Sequence, residues 1–457
     1  MSSEQANNPT LPSPLSEIPP FLWRGRGRVW VGVKKGNLYN IKLIMEQVSS
    51  LKTGVKYKDT PIGKIPVDWE AVTLSRIAEI NMGQSPPSKD CNEQEDGLPF
   101  YQGNAEFGQI HPSPQKWCNR PKKIAYEGDI LISVRAPVAE INIAPHKCCI
   151  GRGIAAVQAK DIHDKFLYQS MLLYRKNLQK MAQGSTFEAI NRKELAELLT
   201  LLPPLPEQEK IADILTTVDK AIEKTTQVIE KTKELKKGLM QKLFTRGIGH
   251  KKFKKTQIGD IPEEWEVAKL KHIVLRFYNG GTPNTSNENY WGGDIPWITG
   301  ADFENQKVNR IRRNITHEGV ENSATNIIPR GNLLVVTRTG VGKLAIAPFD
   351  IAISQDITGI ILNSQKAFPG YIYWYVDHKA ARLRSIIQGT SINGLLRGDL
   401  ESFRIALPPV DEQRKISEVL SSIDNEIEKE LNDKKQLEML KKGLMEVLLT
   451  GKLRVGV

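Results

Sequence analysis

A block of about 200 residues is written twice in this chain, so any fold for it must be one that can be built twice. Ile62-Gly63-Lys64-Ile65-Pro66 and then Trp69-Glu70 recur as Ile258-Gly259-Asp260-Ile261-Pro262 and Trp265-Glu266, at an offset of 196. Gly128-Asp129-Ile130-Leu131 with Arg135 recurs as Gly331-Asn332-Leu333-Leu334 with Arg338, at an offset of 203. Pro203-Pro204 with Glu207-Gln208 recurs as Pro408-Pro409 with Glu412-Gln413, at an offset of 205. From 203 to 245 against 408 to 450, 19 of 43 positions are identical, whereas between Gly83 and Ala182 only scattered anchors match. One frame carrying two different readers fits this contrast; neutral drift of loops is the other reading. A third, partial copy (Ile44-Met45 through Thr53-Gly54, then Tyr57-Lys58-Asp59-Thr60) echoes 239–256.

The expected organisation is a poorly ordered extension over 1–38, where Pro and Ser cluster, then a partial helical repeat and linker over 39–59. A first globular domain follows over 60–202, a central long helix over 203–246 and a basic linker over 247–255. A second domain spans 256–407, a C-terminal long helix 408–450 and a tail 451–457. Both domains mix short β-type runs with Gly and Pro turns: Ile130–Val134, Ile150–Val157, Leu333–Thr337 and Ile351–Leu362 read as strands. Lys165–Met181 and Tyr371–Ile387 read as helices. The fold class is therefore α/β, two globular domains with two long helices in an internally duplicated frame.

Those helices carry a heptad seam. Apolar or small residues fall at Ile211, Leu215, Val218, Ile222, Thr225, Ile229, Thr232, Leu239 and Leu243, with Lys236 at the missing step. The second copy repeats it at Ile416, Leu420, Ile423, Ile427, Leu437, Leu444 and Leu448, with Glu430, Lys434 and Lys441 at polar steps. About 39 residues of helix make a rod of roughly 58 Å. The partner expected for one seam is the other, in the same chain; two separate surface helices packed on their own domains are the alternative.

Charge and chemistry narrow the function. Lys plus Arg is 64 and Asp plus Glu is 52, giving 64 − 52 = +12, a moderate push toward a polyanion. No stretch approaches 18 apolar residues, the opening Met1-Ser2-Ser3-Glu4 lacks a basic n-region, and four cysteines make no disulfide framework. A cytoplasmic protein is expected. Gly340-Val341-Gly342-Lys343 is no phosphate loop, because Thr337 stands where a glycine is required and Leu344 where Ser or Thr is. Cys148-Cys149 lacks metal-ligand spacing. Leu202-Pro203-Pro204-Leu205 and Leu407-Pro408-Pro409-Val410 fail the methyltransferase pattern at both ends. No catalytic residue and no metal site is predicted, and no cofactor in this chain.

Side chains suited to base edges do occur: Gln84, Gln102, Asn104, Arg135 and Arg152 in the first copy, and Thr299, Arg338, Thr339, Lys343, Gln355 and Asn393 in the second. Arg can pair bidentately with guanine, and Asn or Gln with adenine. Asp356 lies beside the second set. Each of these also has a solvated or structural reading. Lys251, Lys252, Lys254 and Lys255 suit phosphates or a solvated linker.

The entry Ile-Gly-x-Ile-Pro-x-x-Trp-Glu, a variable centre, and Leu-Pro-Pro-x-x-Glu-Gln-x-Lys-Ile at 202–211 and 407–416 together resemble the specificity (S) subunit of type I restriction-modification systems. Lys237-Gly238-Leu239-Met240 and Lys442-Gly443-Leu444-Met445 also fit. The resemblance covers about residues 40–457. It implies a non-catalytic DNA-recognition subunit whose two target recognition domains each read half of a split asymmetric site, separated by two long helices that form an antiparallel coiled coil and set the distance between the half-sites. It further implies double-stranded DNA, two modification (M) subunits and restriction (R) subunits as partners, which use S-adenosylmethionine, ATP and Mg2+. A coiled-coil scaffold, or a fragment of a fused nuclease-methyltransferase, is the alternative.

Overall fold

The computed structural model describes residues 56–183, 189–304, 307–308, 310–338, 341–379, 395 and 397–456. The expectations for 1–38 and 39–55 lie outside them. Four helices serve as landmarks: α1 (Asp164–Gln183), α2 (Leu205–Arg246), α3 (Pro369–His378) and α4 (Val410–Leu448). The chain forms two compact units. Unit 1 comprises 56–227 with 432–456, and unit 2 comprises 228–431. Among the described residues, no helix is long and apolar enough to cross a membrane.

Unit 1 begins with a hairpin, Tyr57–Thr60 against Gly63–Pro66. Gly63 has φ +110, and its counterpart Gly259 has φ +108, which is why glycine recurs in the Ile-Gly-x-Ile-Pro entry. An antiparallel four-stranded sheet runs in the order Ile141–Ile143, Ile130–Ser133, Ile154–Ala159, Ala78–Met82. A five-stranded sheet runs in the order Cys91–Asn92, Lys116–Cys118, Leu98–Tyr101, Cys148–Ile150, Ile124–Ala125, with one parallel pair, Cys149 beside Phe100 and Ile150 beside Tyr101. The core joins Trp69, Ile132, Phe166 and Met171 to Ile211, Leu215 and Val218 of α2 and to Leu444 and Leu448 of α4.

Unit 2 repeats this plan. Val274–Asn279, Ile357–Leu362, Leu333–Val336 and Leu344–Ile346 form one sheet; Arg313–Ile315, Trp291–Ile298, Ile351–Ile353 and Asn326–Ile328 form the other. The second sheet holds the matching parallel pair, Trp297 beside Ala352 and Ile298 beside Ile353. Leu243, Ile416 and Leu420 are buried in its core, and Leu239 packs against it. Ile427 is buried, while Ile423 is half-buried.

The long helices thus contribute one half to each core. Contacts within each unit pair them antiparallel. In unit 1, Asp219 meets Lys441 at 2.6 Å, and Ala221 clusters with Leu437, with Ile222 packed alongside. In unit 2, Lys236 meets Asp424 at 2.5 Å.

One sequence expectation is corrected. Ile150–Val157 and Ile351–Leu362 are not single strands: each breaks, at Gly151–Gly153 and Ser354–Asp356, where the chain crosses from one sheet to the other. Within the linker 247–255, Phe253–Thr256 pairs with Gly259–Pro262. Within the tail 451–457, Val455 is buried in the unit 1 core. The helix expected over Tyr371–Ile387 is seen as α3, and 380–394 lie outside the described residues.

Candidate nucleic-acid interface

The crossover between sheets gathers most of the candidate side chains. In unit 1, Gly83 N donates to Ile154 O (2.8 Å) and Gln84 N to Ile150 O (3.0 Å), which lays the 83–85 loop against the crossover. A Cβ on Gly83 would stand 2.2 Å from Gly151 O, so only glycine permits this approach. Gln102 Nε2 then donates to Ser85 Oγ (2.9 Å), and Arg152 N donates to the same oxygen (3.2 Å). Gly153 N donates to Gln102 O (3.2 Å), and Val134 N to Gly153 O (2.9 Å), which brings Arg135 alongside. Asn104 opens the short helical turn Asn104–Glu106 two residues beyond Gln102.

Gln84, Gln102, Arg135 and Arg152 are exposed. Among the described residues, neither the Arg135 nor the Arg152 guanidinium makes an ion pair or a side-chain hydrogen bond, so both are open to an outside acceptor. Amide and guanidinium donors on one exposed loop cluster suit base edges or phosphates.

Unit 2 builds the same crossover with other side chains. Gly280 N donates to Ile357 O (3.2 Å) and Gly281 N to Ile353 O (2.9 Å). A Cβ on Gly280 would lie 2.0 Å from Ser354 O. Thr282 Oγ1 donates to Gln355 Oε1, so the hydroxyl in the place of Ser85 here bonds the side chain in the place of Arg152. Thr337 N donates to Asp356 O (2.7 Å), which sets exposed Arg338 beside this loop.

Two further candidates hold the backbone of the turn 299–303 instead. Thr299 caps the turn Gly300–Asp302, and Arg312 donates to its hydroxyl (2.8 Å). Lys343 Nζ donates to the carbonyls of Gly300 (3.1 Å) and Phe303 (3.3 Å). Both hold the backbone beside the crossover. Burial alone would raise the Asp302 carboxyl, but hydrogen bonds from Arg312 and Thr299 outweigh it and hold the group below the usual range. Thr339 and Asn393 lie outside the described residues. Ser85 and Thr282 are site residues that sequence reasoning missed; their signal is a hydroxyl two positions after the matched glycines Gly83 and Gly280.

Each unit also closes around a glutamate, fully buried in unit 1 and partly buried in unit 2. Trp69 Nε1 donates to Glu207 Oε2 (2.9 Å), and Trp265 Nε1 donates to Glu412 Oε2 (2.9 Å). Gln208 Nε2 donates to Pro203 O (2.8 Å), and His163 N donates to Gln208 Oε1 (2.8 Å). Gln413 makes the same pair with Pro408 O and Phe368 N, each at 2.8 Å. The Pro-Pro-x-x-Glu-Gln signature is thereby accounted for: Glu anchors the entry tryptophan, and Gln ties the chain before α1 or α3 to the start of a long helix.

All four cysteines are free, and burial pushes the Cys148 and Cys149 thiols up to about 12, which leaves them protonated and unreactive.

Comparison with known proteins places this architecture. Residues 66–234 and 262–439 each match the family model described as the type I restriction modification DNA specificity domain. The inferred specificity subunit of the type I restriction enzyme MjaX, from Methanocaldococcus jannaschii, is 32% identical over 435 residues, covering 87% of this chain and 97% of that one. The MjaVIII specificity subunit of the same organism is 28% identical, covering 86% and 94%. The crystal structure of a type I restriction-modification S subunit from M. genitalium shares the fold, with a TM-score of 0.59 at 13% identity over 83% of this chain and 96% of that one.

Proposed function

The chain belongs to the type I restriction-modification DNA specificity family and is a sequence-specificity subunit, and from that premise we propose that its two units each read one half of a split, asymmetric DNA site. The observation that carries this is the crossover loop, built twice on one backbone plan with different side chains. Ser85, Gln102 and Arg152 stand in unit 1 where Thr282, Thr299 and Gln355 stand in unit 2. One scaffold with two unlike sets of donors is what two unlike half-sites require. Exposed Arg135, Arg152, Arg338, Gln84, Gln102 and Gln355 read base edges, while Lys251, Lys252 and Lys255 contact phosphates and fix the frame.

The chain itself performs no chemistry in this reading. It directs two modification subunits, which use S-adenosylmethionine for adenine methylation, and restriction subunits, which use ATP and Mg2+. It works in the cytoplasm. Helix α2, which contributes residues to both units, sets the separation of the half-sites.

Mapping genomic methylation in a host carrying the chain with its modification subunit tests this. Arg152→Ala should relax one position of one half-site by about 1–3 kcal/mol, and Gln355→Ala one position of the other. Inserting four residues near Gln227 should change the spacer and leave both half-sites as they were. Relaxation of both half-sites by one substitution would contradict the assignment.

A further inference from the structure

Two polar junctions sit in equivalent places where a domain helix meets the long helices. In unit 1, Asp219 of α2 is paired with Lys441 of α4 at 2.6 Å, and its other oxygen accepts from Gln169 Nε2 of α1 at 2.7 Å. In unit 2, Asp424 of α4 is paired with Lys236 of α2 at 2.5 Å, and the same ammonium lies 4.3 Å from the ring centre of Trp374 of α3. Trp374 Nε1 also donates to Ser421 Oγ of α4 at 3.1 Å. The four charged side chains are 15–23% exposed, so they are neither free surface ions nor a sealed core pair.

Sequence and geometry converge on these pairs. Asp219 matches Asp424 and Lys236 matches Lys441, both at an offset of 205. Between them, residues 225–234 share no identity with 430–439. The long helices therefore keep the same charged residues on both flanks of a stretch that has lost all likeness. The two lysines also stand at seam steps where a coiled coil wants an apolar residue. Apolar seam contacts are tolerant of sliding, because one aliphatic side chain fits a neighbouring hole nearly as well. An ion pair with a further directional partner is satisfied in one alignment only, and fixing register is the best-attested use of a buried polar pair.

We propose that Gln169–Asp219–Lys441 and Trp374–Lys236–Asp424 are positioning junctions that fix the alignment of each target-reading domain on the paired helices, and thereby the single separation at which the two half-sites are read. This rests on the two-half-site reading above. The junctions touch no base; they act through the helices that carry the readers.

The test uses the full chain with its modification subunits and maps methylation. Lys236→Met with Asp424→Leu replaces one junction by apolar residues, a change that commonly preserves folding. Lys236→Asp with Asp424→Lys inverts the charges and keeps the pair. Lys236→Glu alone places two like charges together. The Met/Leu variant should methylate both half-sites, unchanged in sequence, at more than one spacing. The inverted pair should return toward one spacing, and Lys236→Glu should lose methylation at the original spacing. A Met/Leu variant that methylates only at the original spacing, with undiminished efficiency, overturns the proposal. A wild-type chain whose methylated sites are not bipartite overturns the two-half-site reading itself, and this assignment with it.

Discussion

The two units solve one problem with different residues. Each must satisfy a glutamate beside the entry tryptophan, and each does so with a nitrogen-bearing side chain from the segment that follows a long helix. In unit 2 that segment is 247–250: Gly247 turns with φ +61, and His250 Nε2 lies 3.0 Å from both Glu412 oxygens. In unit 1 it is 451–454: Gly451 turns with φ +70, and Arg454 reaches Glu207 at 2.5 and 2.6 Å and Asp68 at 2.9 and 2.7 Å. Unit 2 is thus closed by sequence immediately before its first hairpin, and unit 1 by sequence nearly 400 residues beyond its own. Hydrogen bonds to Glu207, and then to Asp68, hold the Arg454 guanidinium above its ordinary range. The same bond from Arg454 holds the Asp68 carboxyl below its ordinary value. The comparison teaches that the duplicated unit is a closed ring of contacts, and that the chain can supply the closing residue from either side.

The comparison can be broken in four ways, taken from the largest effect down. Trp69→Ala removes a fully buried ring and should cost about 3–5 kcal/mol, with loss of hydrogen-exchange protection confined to unit 1; Trp265→Ala should do the same in unit 2. Protection lost equally in both units would deny that each closes on its own tryptophan. Ending the chain at Thr450 removes Arg454 and buried Val455, and should weaken unit 1 by about 2–4 kcal/mol. Exchange in residues 57–73 should rise while that in residues 253–269 stays as it was.

Asp302→Asn should cost about 1–3 kcal/mol at neutral pH. The Asp302 carboxyl sits below its ordinary value of 3.8, so its stabilisation is present above that value and fades as pH falls through the lower folded one. The substituted protein should therefore lose less stability than the parent between pH 7 and pH 3 in denaturant titrations. Arg454→His should be the mildest, about 1 kcal/mol. An imidazolium paired with Glu207 stabilises at low pH and that contribution is lost as pH rises. Unit 1 of this variant should soften on going from pH 5 to pH 8, and a flat profile would remove the ion pair from the account.

The parts legible in the sequence are those whose two copies use identical residues. Trp69 with Glu207 and Trp265 with Glu412 lie inside the repeated motifs, and each pair makes the same 2.9 Å hydrogen bond. The closing residue is not legible there, because Arg454 and His250 do one job with different chemistry at positions that read as tail and linker. The crossover at Gly151–Gly153 was hidden inside an apolar run, since both flanking strands are buried and only hydrogen-bond partners reveal that they lie in different sheets. Thr299 and Lys343 show the matching limit at the site. A polar side chain that suits a base edge suits a backbone carbonyl equally, and sequence does not say which is nearer. The lysines at seam steps are explained only by their partners across the helix pair, Asp219 for Lys441 and Asp424 for Lys236.

The central claim is that the two units read separate half-sites. Replacing residues 60–202 with the corresponding domain of another family member, and mapping methylation with the same modification subunits, tests it most directly. The account predicts that one half-site changes while the other half-site and the spacer stay as they were. A change in both half-sites, or in neither, would contradict it.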